Sequence, residues 1–301
     1  MAKSTKTRWG VKQRLEFIEF RLFWEGKFNR VDLVNQFGVS IPQASADISQ
    51  YQEKAPGNIE YDRKEKAYFP TSEYKPVLIK PNADLYLSQL YSLSKNMIRH
   101  DETYIDKIPI YDILPGFQQR VDPKILRTVV AAINNKNAIE VEYQSLSRSK
   151  PIWRWISPHA IASDQFRWHT RAFCHNRFDF RDFVLTRILN IRGENQSYSN
   201  PDDDEAWHQV VNVKIGPHPK LKKTQKKAIE LDYGMKKGIV EVRVRAALLF
   251  YFLQQHGFLS QEAFFEEDKS THHEKHQAIQ QIVLLNRDEV QKHLPESVNL
   301  A

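Results

Sequence analysis

Between residues 41 and 53 the chain places amide and hydroxyl side chains where a solvated helix would carry charge. Apolar Ile41, Ala44, Ile48 and Tyr51 recur at helical spacing and define one face. The opposite face of the same wheel holds Pro42, Gln43, Ala46, Ser49 and Gln50, with Ser45 beside them. Amides and hydroxyls both donate and accept, so such a face suits the edges of paired bases. Gln43, Ser49 and Gln50 are the candidate base contacts, and Ser45 and Ala46 share their surface. Cations suited to phosphates lie on either side: Lys12 and Arg14 upstream, Arg63, Lys64 and Lys66 downstream. The first fourteen residues hold Lys3, Lys6, Arg8, Lys12 and Arg14 with no acid, the pattern of a phosphate-contacting arm. A solvated tail and an ordinary hairpin tip would carry the same residues.

These side chains need a frame, and residues 30–53 supply a helix-turn-helix. The first short helix buries Leu33, Val34 and Phe37, and Gly38 takes the tight turn. Ser40 caps the next helix and Pro42 is tolerated in its first turn. An amphipathic helix over 11–24 precedes them, with Leu15, Phe17, Ile18, Leu22 and Phe23 as its stripe. Residues 58–70 read as two short strands around the charged turn, which is a wing. Residues 1–70 are therefore expected to form a winged helix-turn-helix. Residues 71–135 read as a helical connector, with one helix over 82–98 and another opened by Asp122 and Pro123.

From residue 136 to 200 the period changes to that of strands. Residues 139–143 and 166–173 alternate, 158–161 begin another apolar run and 180–185 lead into 186–188, with turns at 145–150, Asp164 and 175–177, as in a small curled sheet or barrel. Residues 136–193 carry ten basic against five acidic side chains, whereas 194–301 carry fourteen against sixteen. Alternation puts Arg167, His169 and Arg171 in one row and Trp168, Thr170 and Ala172 on the other face, where Trp168 is expected in the core. Tyr143, Ser145, His159, Arg181 and Arg187 lie on neighbouring segments. Guanidinium forks bind phosphate bidentately, and His and Tyr can stack on a base, so the row suits an anionic, nucleotide-like ligand. A solvated basic face paired with Glu140, Glu142, Asp179 and Asp182 is the alternative. Residues 206–301 read as a small α+β domain: strands at 210–215 and 239–245, helices at 224–233 and 246–255, and a strand or helix at 278–285.

Other chemistry is sparse. One cysteine, Cys174, excludes a disulfide framework and a cysteine zinc site. No apolar run approaches the roughly 18 residues of a membrane helix, and the first residues lack a signal core, so a cytoplasmic protein without a membrane partner is expected. His272, His273 and His276 have no spacing-defined fourth ligand, and no metal or cofactor is expected. Cys174 and His175 are strand neighbours on opposite faces rather than a nucleophile–base pair. Asp202–Glu205 reads as a boundary loop. Ten glycines include no Walker or dinucleotide fingerprint.

In this order of parts the chain resembles the WYL-domain transcriptional regulators of bacteria. The family's signature tripeptide falls at Trp168-His169-Thr170, of which only the tryptophan matches literally. The strand at 139–143, Ile156-Ser157-Pro158-His159, Phe180-Arg181-Asp182-Phe183 and Thr186-Arg187-Ile188 carry the rest of the likeness, which spans nearly the whole chain and is nearest to the BREX-associated repressors beside phage-defence islands. The resemblance implies an α+β multidomain fold with an N-terminal winged helix-turn-helix, a central barrel-like (Sm-like) WYL domain and a C-terminal α+β dimerisation domain. It implies a homodimeric repressor on an inverted-repeat double-stranded DNA operator of a phage-defence locus, and no enzyme. It further implies a nucleotide or nucleic-acid effector at Tyr143, Ser145, His159, Trp168, His169, Arg171, Arg181 and Arg187. Two readings from other classes remain: a nuclease using the helix-turn-helix for targeting, and a nucleic-acid sensor without an operator. Against the first, no paired carboxylates appear at recognisable spacing. Against the second, the helix face is uncharged where non-specific binders carry Lys and Arg.

Overall fold

Gly116 and Phe117 mark the division of the chain into two units in the computed structural model, which describes residues 2–114, 120–259, 281–295 and 297–300, the side chains of 2–9 excepted. The first unit opens with α1 (Ala2–Glu25), α2 (Arg30–Phe37) and α3 (Ile41–Lys54). The expected helix at 11–24 is thus longer, and the basic leader is part of it. Asn29 and Asp32 close a capping box on α2, and Gly38 ends it at φ +62°. Ser40 accepts from the Gln43 backbone N–H and starts α3. Leu15, Phe17, Ile18 and Leu22 of α1 pack with Leu33, Ala44, Ile48 and Tyr51 in one core. The hairpin β1 (Ile59–Asp62) and β2 (Ala67–Pro70) follows, antiparallel, with Glu60 opposite Phe69.

Residues beyond the hairpin are bound to this core by a buried carboxylate. Glu19 is fully buried. It accepts from Tyr51 Oη at 3.1 Å and from the N–H groups of Val77, Leu78 and Ile79 at 2.9, 2.6 and 2.7 Å. Tyr74 Oη donates to the Glu19 carbonyl, and Asn58 bridges Tyr51 and the Lys75 carbonyl. The helix expected at 82–98 is α4 (Ala83–Ser94).

The second unit begins with α5 (Pro123–Asn135), capped by Asp122 as expected. Its Val129 and Ala132 cover a sheet of β3 (Asn137–Tyr143), β4 (Ile152–Ser163), β5 (Trp168–Cys174), β6 (Asp179–Val184) and β7 (Ile188–Gln196). The order is β6-β5-β4-β3-β7, with every neighbouring pair antiparallel. The sheet is open, because β6 and β7 are its edges and do not pair with each other. A closed barrel is therefore corrected to a curled open sheet: β4 is bent by a register shift between Pro158 and Ala160, and β3 by two more against β7. Edge strand β7 escapes periodicity because it is exposed on both faces over most of its length.

The chain continues through α6 (Glu205–His208), β8 (Val210–Pro217), α7 (Lys223–Asp232), β9 (Val240–Arg245), α8 (Ala246–Gln255), β10 (Ile282–Leu284) and α9 (Arg287–Gln291). A second sheet has the order β10-β8-β9. Leu249 and Leu253 of α8 close its core with Val211, Val213 and Ile215. The segment read as strand or helix near the end is a strand over its described part. Among the described residues no helix is long and apolar enough to cross a membrane.

Glu19→Gln replaces one acceptor oxygen by a donor facing backbone N–H groups. It is expected to destabilise the first unit by about 1–3 kcal/mol, measured by urea unfolding followed through tryptophan fluorescence.

Candidate functional site

The outward face of α3 is built as the sequence suggests. Gln43, Ala46 and Ser49 are exposed and Gln50 is half-buried, while Ala44, Ile48 and Tyr51 face the core. Ser45 is half-buried and its hydroxyl donates to the Ile41 carbonyl at 3.0 Å, so it is a weaker candidate for a base contact. Asp47 also faces inward and is 1% exposed. Arg14 of α1 holds it with two bonds, Nε to Oδ2 at 2.6 Å and a terminal nitrogen to Oδ1 at 3.2 Å. Gln43 Nε2 donates to the same Oδ1 at 3.0 Å. Arg14 is therefore not the free phosphate contact expected of it, because a buried carboxylate claims its guanidinium. Lys12 stays exposed, 3.5 Å from Glu16, and Arg63 and Lys64 are exposed in the wing turn, whose backbone Asp62 caps.

In the second unit the alternation of β5 is as expected, but the row it produces is not a solvated surface. His169 and Arg171 are buried. His169 Nε2 lies 3.1 Å from Asp164 Oδ2, and Arg167 closes on the same carboxylate. Arg171 grips Asp204 with Nε at 2.8 Å and a terminal nitrogen at 2.9 Å, and reaches Asp182 at 3.3 Å. Asp182 accepts from Tyr251 Oη of α8 at 3.1 Å, and the Tyr251 ring lies against His169. His159 Nε2 joins Asp204 at 2.9 Å. Burial works to raise the Asp204 carboxyl, but the Arg171 fork, His159 and a backbone N–H outweigh it and hold the group below the usual carboxylate range. Burial likewise pulls the His159 imidazole down, against the opposing pull of Asp204.

The remaining candidates scatter. Tyr143 is buried, its hydroxyl accepting from the Val184 N–H at 3.2 Å. Trp168, the first residue of β5, is 52% exposed and not in the core, with nothing among the described residues covering that strand end. Arg181 is half-exposed and paired with Asp179, while Ser145 and Arg187 are half-buried. The structure thus joins His159 and Arg171 through Asp204 and sets His169 beside them, but does not bring all eight residues into one site.

A cleft of about 530 Å³ opens beside this network, lined among others by Lys136, Ser157, His159, Phe180, Ser197 and Tyr198. His175 touches it through Ser157 Oγ at 2.8 Å and Tyr198 Oη at 2.7 Å, and burial lowers its pKa. Ser157, His175, Ser197, Tyr198, Asp204 and Tyr251 carried no periodic signal, since each meets its partners across long sequence separations. Asp47 carried one: a carboxylate among the apolar positions of an amphipathic helix needs a partner. His272, His273 and His276 lie outside the described residues.

Comparison with known proteins follows the same division of the chain. Residues 10–92 match the BrxR transcriptional regulator winged helix-turn-helix domain, residues 124–192 the WYL domain, and residues 210–290 the BrxR C-terminal dimerization domain. A DNA-binding transcriptional repressor CapW of Stenotrophomonas maltophilia is 36% identical over 97% of this chain and 95% of its own length. Proteins of the same name from Pseudomonas aeruginosa and Escherichia coli are 38% and 34% identical, each over 94% of this chain and 91% of their own. The chain belongs to the BrxR/CapW family. Its WYL match runs from α5 into β7 and the BrxR C-terminal match begins at β8, so Arg171, inside the first, pairs with Asp204 in the interval between the two. A solved structure of proteasome accessory factor B/C from Arthrobacter aurescens covers 58% of this chain and 26% of its own at 20% identity, with a TM-score of 0.24.

Two measurements follow for this member of the BrxR/CapW family. Asp204→Ala strands a buried guanidinium and is expected to cost about 3–5 kcal/mol in denaturant unfolding of the second unit. The second concerns pH. His159 and His175 have folded pKa values lowered below 6.5, so the unfolded chain takes up protons first as pH falls below 6.5. Stability should drop between pH 7 and 5, and His175→Gln should flatten that slope in melting curves.

Proposed function

We propose that this chain is a homodimeric, sequence-specific DNA-binding transcriptional repressor, and that α3 is its reading helix. One observation carries this reading: an exposed amide-and-hydroxyl face at Gln43, Ala46, Ser49 and Gln50 on the second helix of a winged helix-turn-helix, in a chain whose near-full-length relatives are named DNA-binding transcriptional repressors. Gln43, Ser49 and Gln50 read base edges, and Lys12, Arg63 and Lys64 grip phosphates. Residues 1–70 form the reading head. Residues 206–301 dimerise, as the description of the matched C-terminal family supports. Two heads related by a two-fold axis then need half-sites separated by whole helical turns of roughly 10 bp. A phage-defence locus is the proposed target, in keeping with the BREX-type regulators the chain resembles.

Residues 136–200 form the sensing domain, an open Sm-like sheet. The effector is a nucleotide or short nucleic acid, and it enters at the cleft bounded by His159 and Phe180. The buried row favours this place, because His169 and Arg171 are committed to Asp164, Asp182 and Asp204. An occupant touching His159 acts on Asp204 and, through Arg171 and Asp182, on Tyr251 of α8. It changes DNA binding only by favouring one arrangement of the dimer over another.

Selection of bound fragments from random duplex DNA tests the core of this reading. The expected result is a palindromic motif, with Lys64→Ala lowering affinity uniformly across sequences and reducing the salt slope by about 1. Equal binding to its own promoter and to scrambled duplex at moderate salt would refute sequence-specific repression.

A further inference from the structure

We propose that Asp47 sets a base preference of the reading helix by fixing which end of the Gln43 amide faces the groove. This rests on the DNA-reading role given to α3 above. A glutamine amide can turn either its oxygen or its nitrogen outward, and the two faces read opposite partners. Gln43 takes one of the two. Its Nε2 lies 3.0 Å from Asp47 Oδ1, one turn along the same helix. The same carboxylate takes Arg14 on both oxygens, at 2.6 and 3.2 Å. A carboxylate held by a guanidinium offers acceptors only, so the amide oxygen of Gln43 cannot replace its nitrogen there.

The consequence is directional. One N–H of Gln43 is spent on Asp47, which leaves the carbonyl oxygen and the second N–H of an exposed side chain for another partner. In the major groove adenine offers its N6 donor beside its N7 acceptor, which that pair of atoms matches. Guanine offers O6 and N7, two acceptors, and O6 would meet the Gln43 oxygen. Asp47 thereby makes Gln43 select adenine over guanine. A carboxylate at a buried helix position is a cost to folding that an apolar side chain avoids, and orienting the amide gives it a use. Arg14 is a positioning residue in this scheme. It neutralises Asp47 from α1, and so ties the reading helix to the helix behind it.

Titration of the full-length protein on its selected operator tests the proposal, each A·T pair of a half-site being replaced in turn by G·C. Wild type should weaken by about 10- to 100-fold at one such pair, and Gln43→Ala should abolish that penalty at that pair alone. In Asp47→Asn the new NH2 can donate to the Gln43 oxygen, so the amide turns over. The penalty at the same pair should shrink several-fold while the other pairs keep theirs. A full penalty in Asp47→Asn, or equal shrinkage at every pair, overturns the proposal. A preferred operator whose readout ignores Gln43→Ala overturns it while leaving the repressor intact, whereas no operator preference at all removes both. If circular dichroism shows that Asp47→Asn does not fold, side-chain amide relaxation of Gln43 in the wild type decides. The resonance is assigned by its loss in Gln43→Ala: an ordered amide supports the proposal and a freely turning one overturns it.

Discussion

A guanidinium taken out of water must be met on its own geometry, and Arg171 is where this chain depends on that rule. Desolvation of a charge costs several kcal/mol, and the attraction of a partner compensates only with good geometry and further hydrogen bonds. Arg171 has both: a two-pronged grip on Asp204 and a third contact to Asp182. Asp204 comes from the boundary between the two sheets, and Asp182 is held in turn by Tyr251 from α8. The inner strand β5, the junction at residue 204 and a helix of the C-terminal region therefore form one polar network. Its apolar surroundings strengthen each link, so moving one member is felt by the others.

The same rule shapes the N-terminal unit. Glu19 and Asp47 are carboxylates on helix faces that otherwise bury apolar side chains. Each collects donors from elsewhere in the chain: Glu19 three backbone N–H groups and a phenol, Asp47 a guanidinium and an amide. Apolar packing alone would hold α1 against α3 with some freedom to slide. The charged contacts require one register, and that register determines which side chains of α3 are left outside.

Those contacts also mark where sequence reasoning stops. The helix-turn-helix was legible because its signals are local: Asn29 and Ser40 as caps, Gly38 at positive φ, and apolar positions three and four apart. The strands of the central sheet were legible where one face is buried, and β7 was not, because an edge strand exposed on both faces has nothing to alternate. The basic row on β5 was read correctly as a row, but its His169 and Arg171 meet buried carboxylates and not solvent. Whether a strand face meets solvent depends on residues such as Asp204 and Tyr251, far along the chain and without periodicity. Trp168 fails in the opposite sense: its parity on β5 is that of the buried Thr170 and Ala172, but it sits at the strand's first position and is half-exposed.

The withdrawal of Arg14 changes how a reading head of this kind should divide its labour. Each phosphate contact adds affinity without sequence information and steepens the dependence on salt, whereas base edges add information at a modest gain in affinity. With Arg14 turned inward on Asp47, its guanidinium holds the carboxylate that takes the Gln43 amide instead of facing solvent. On the proposed reading of α3, that exchange trades non-specific attraction for selectivity. A single head so arranged binds weakly, and two heads held on one dimer recover the loss because the second contact is made at high effective concentration. Whatever alters the geometry of the C-terminal region then acts on operator affinity with high leverage, and the Arg171–Asp204–Asp182–Tyr251 network lies at the junction where the central sheet meets that region.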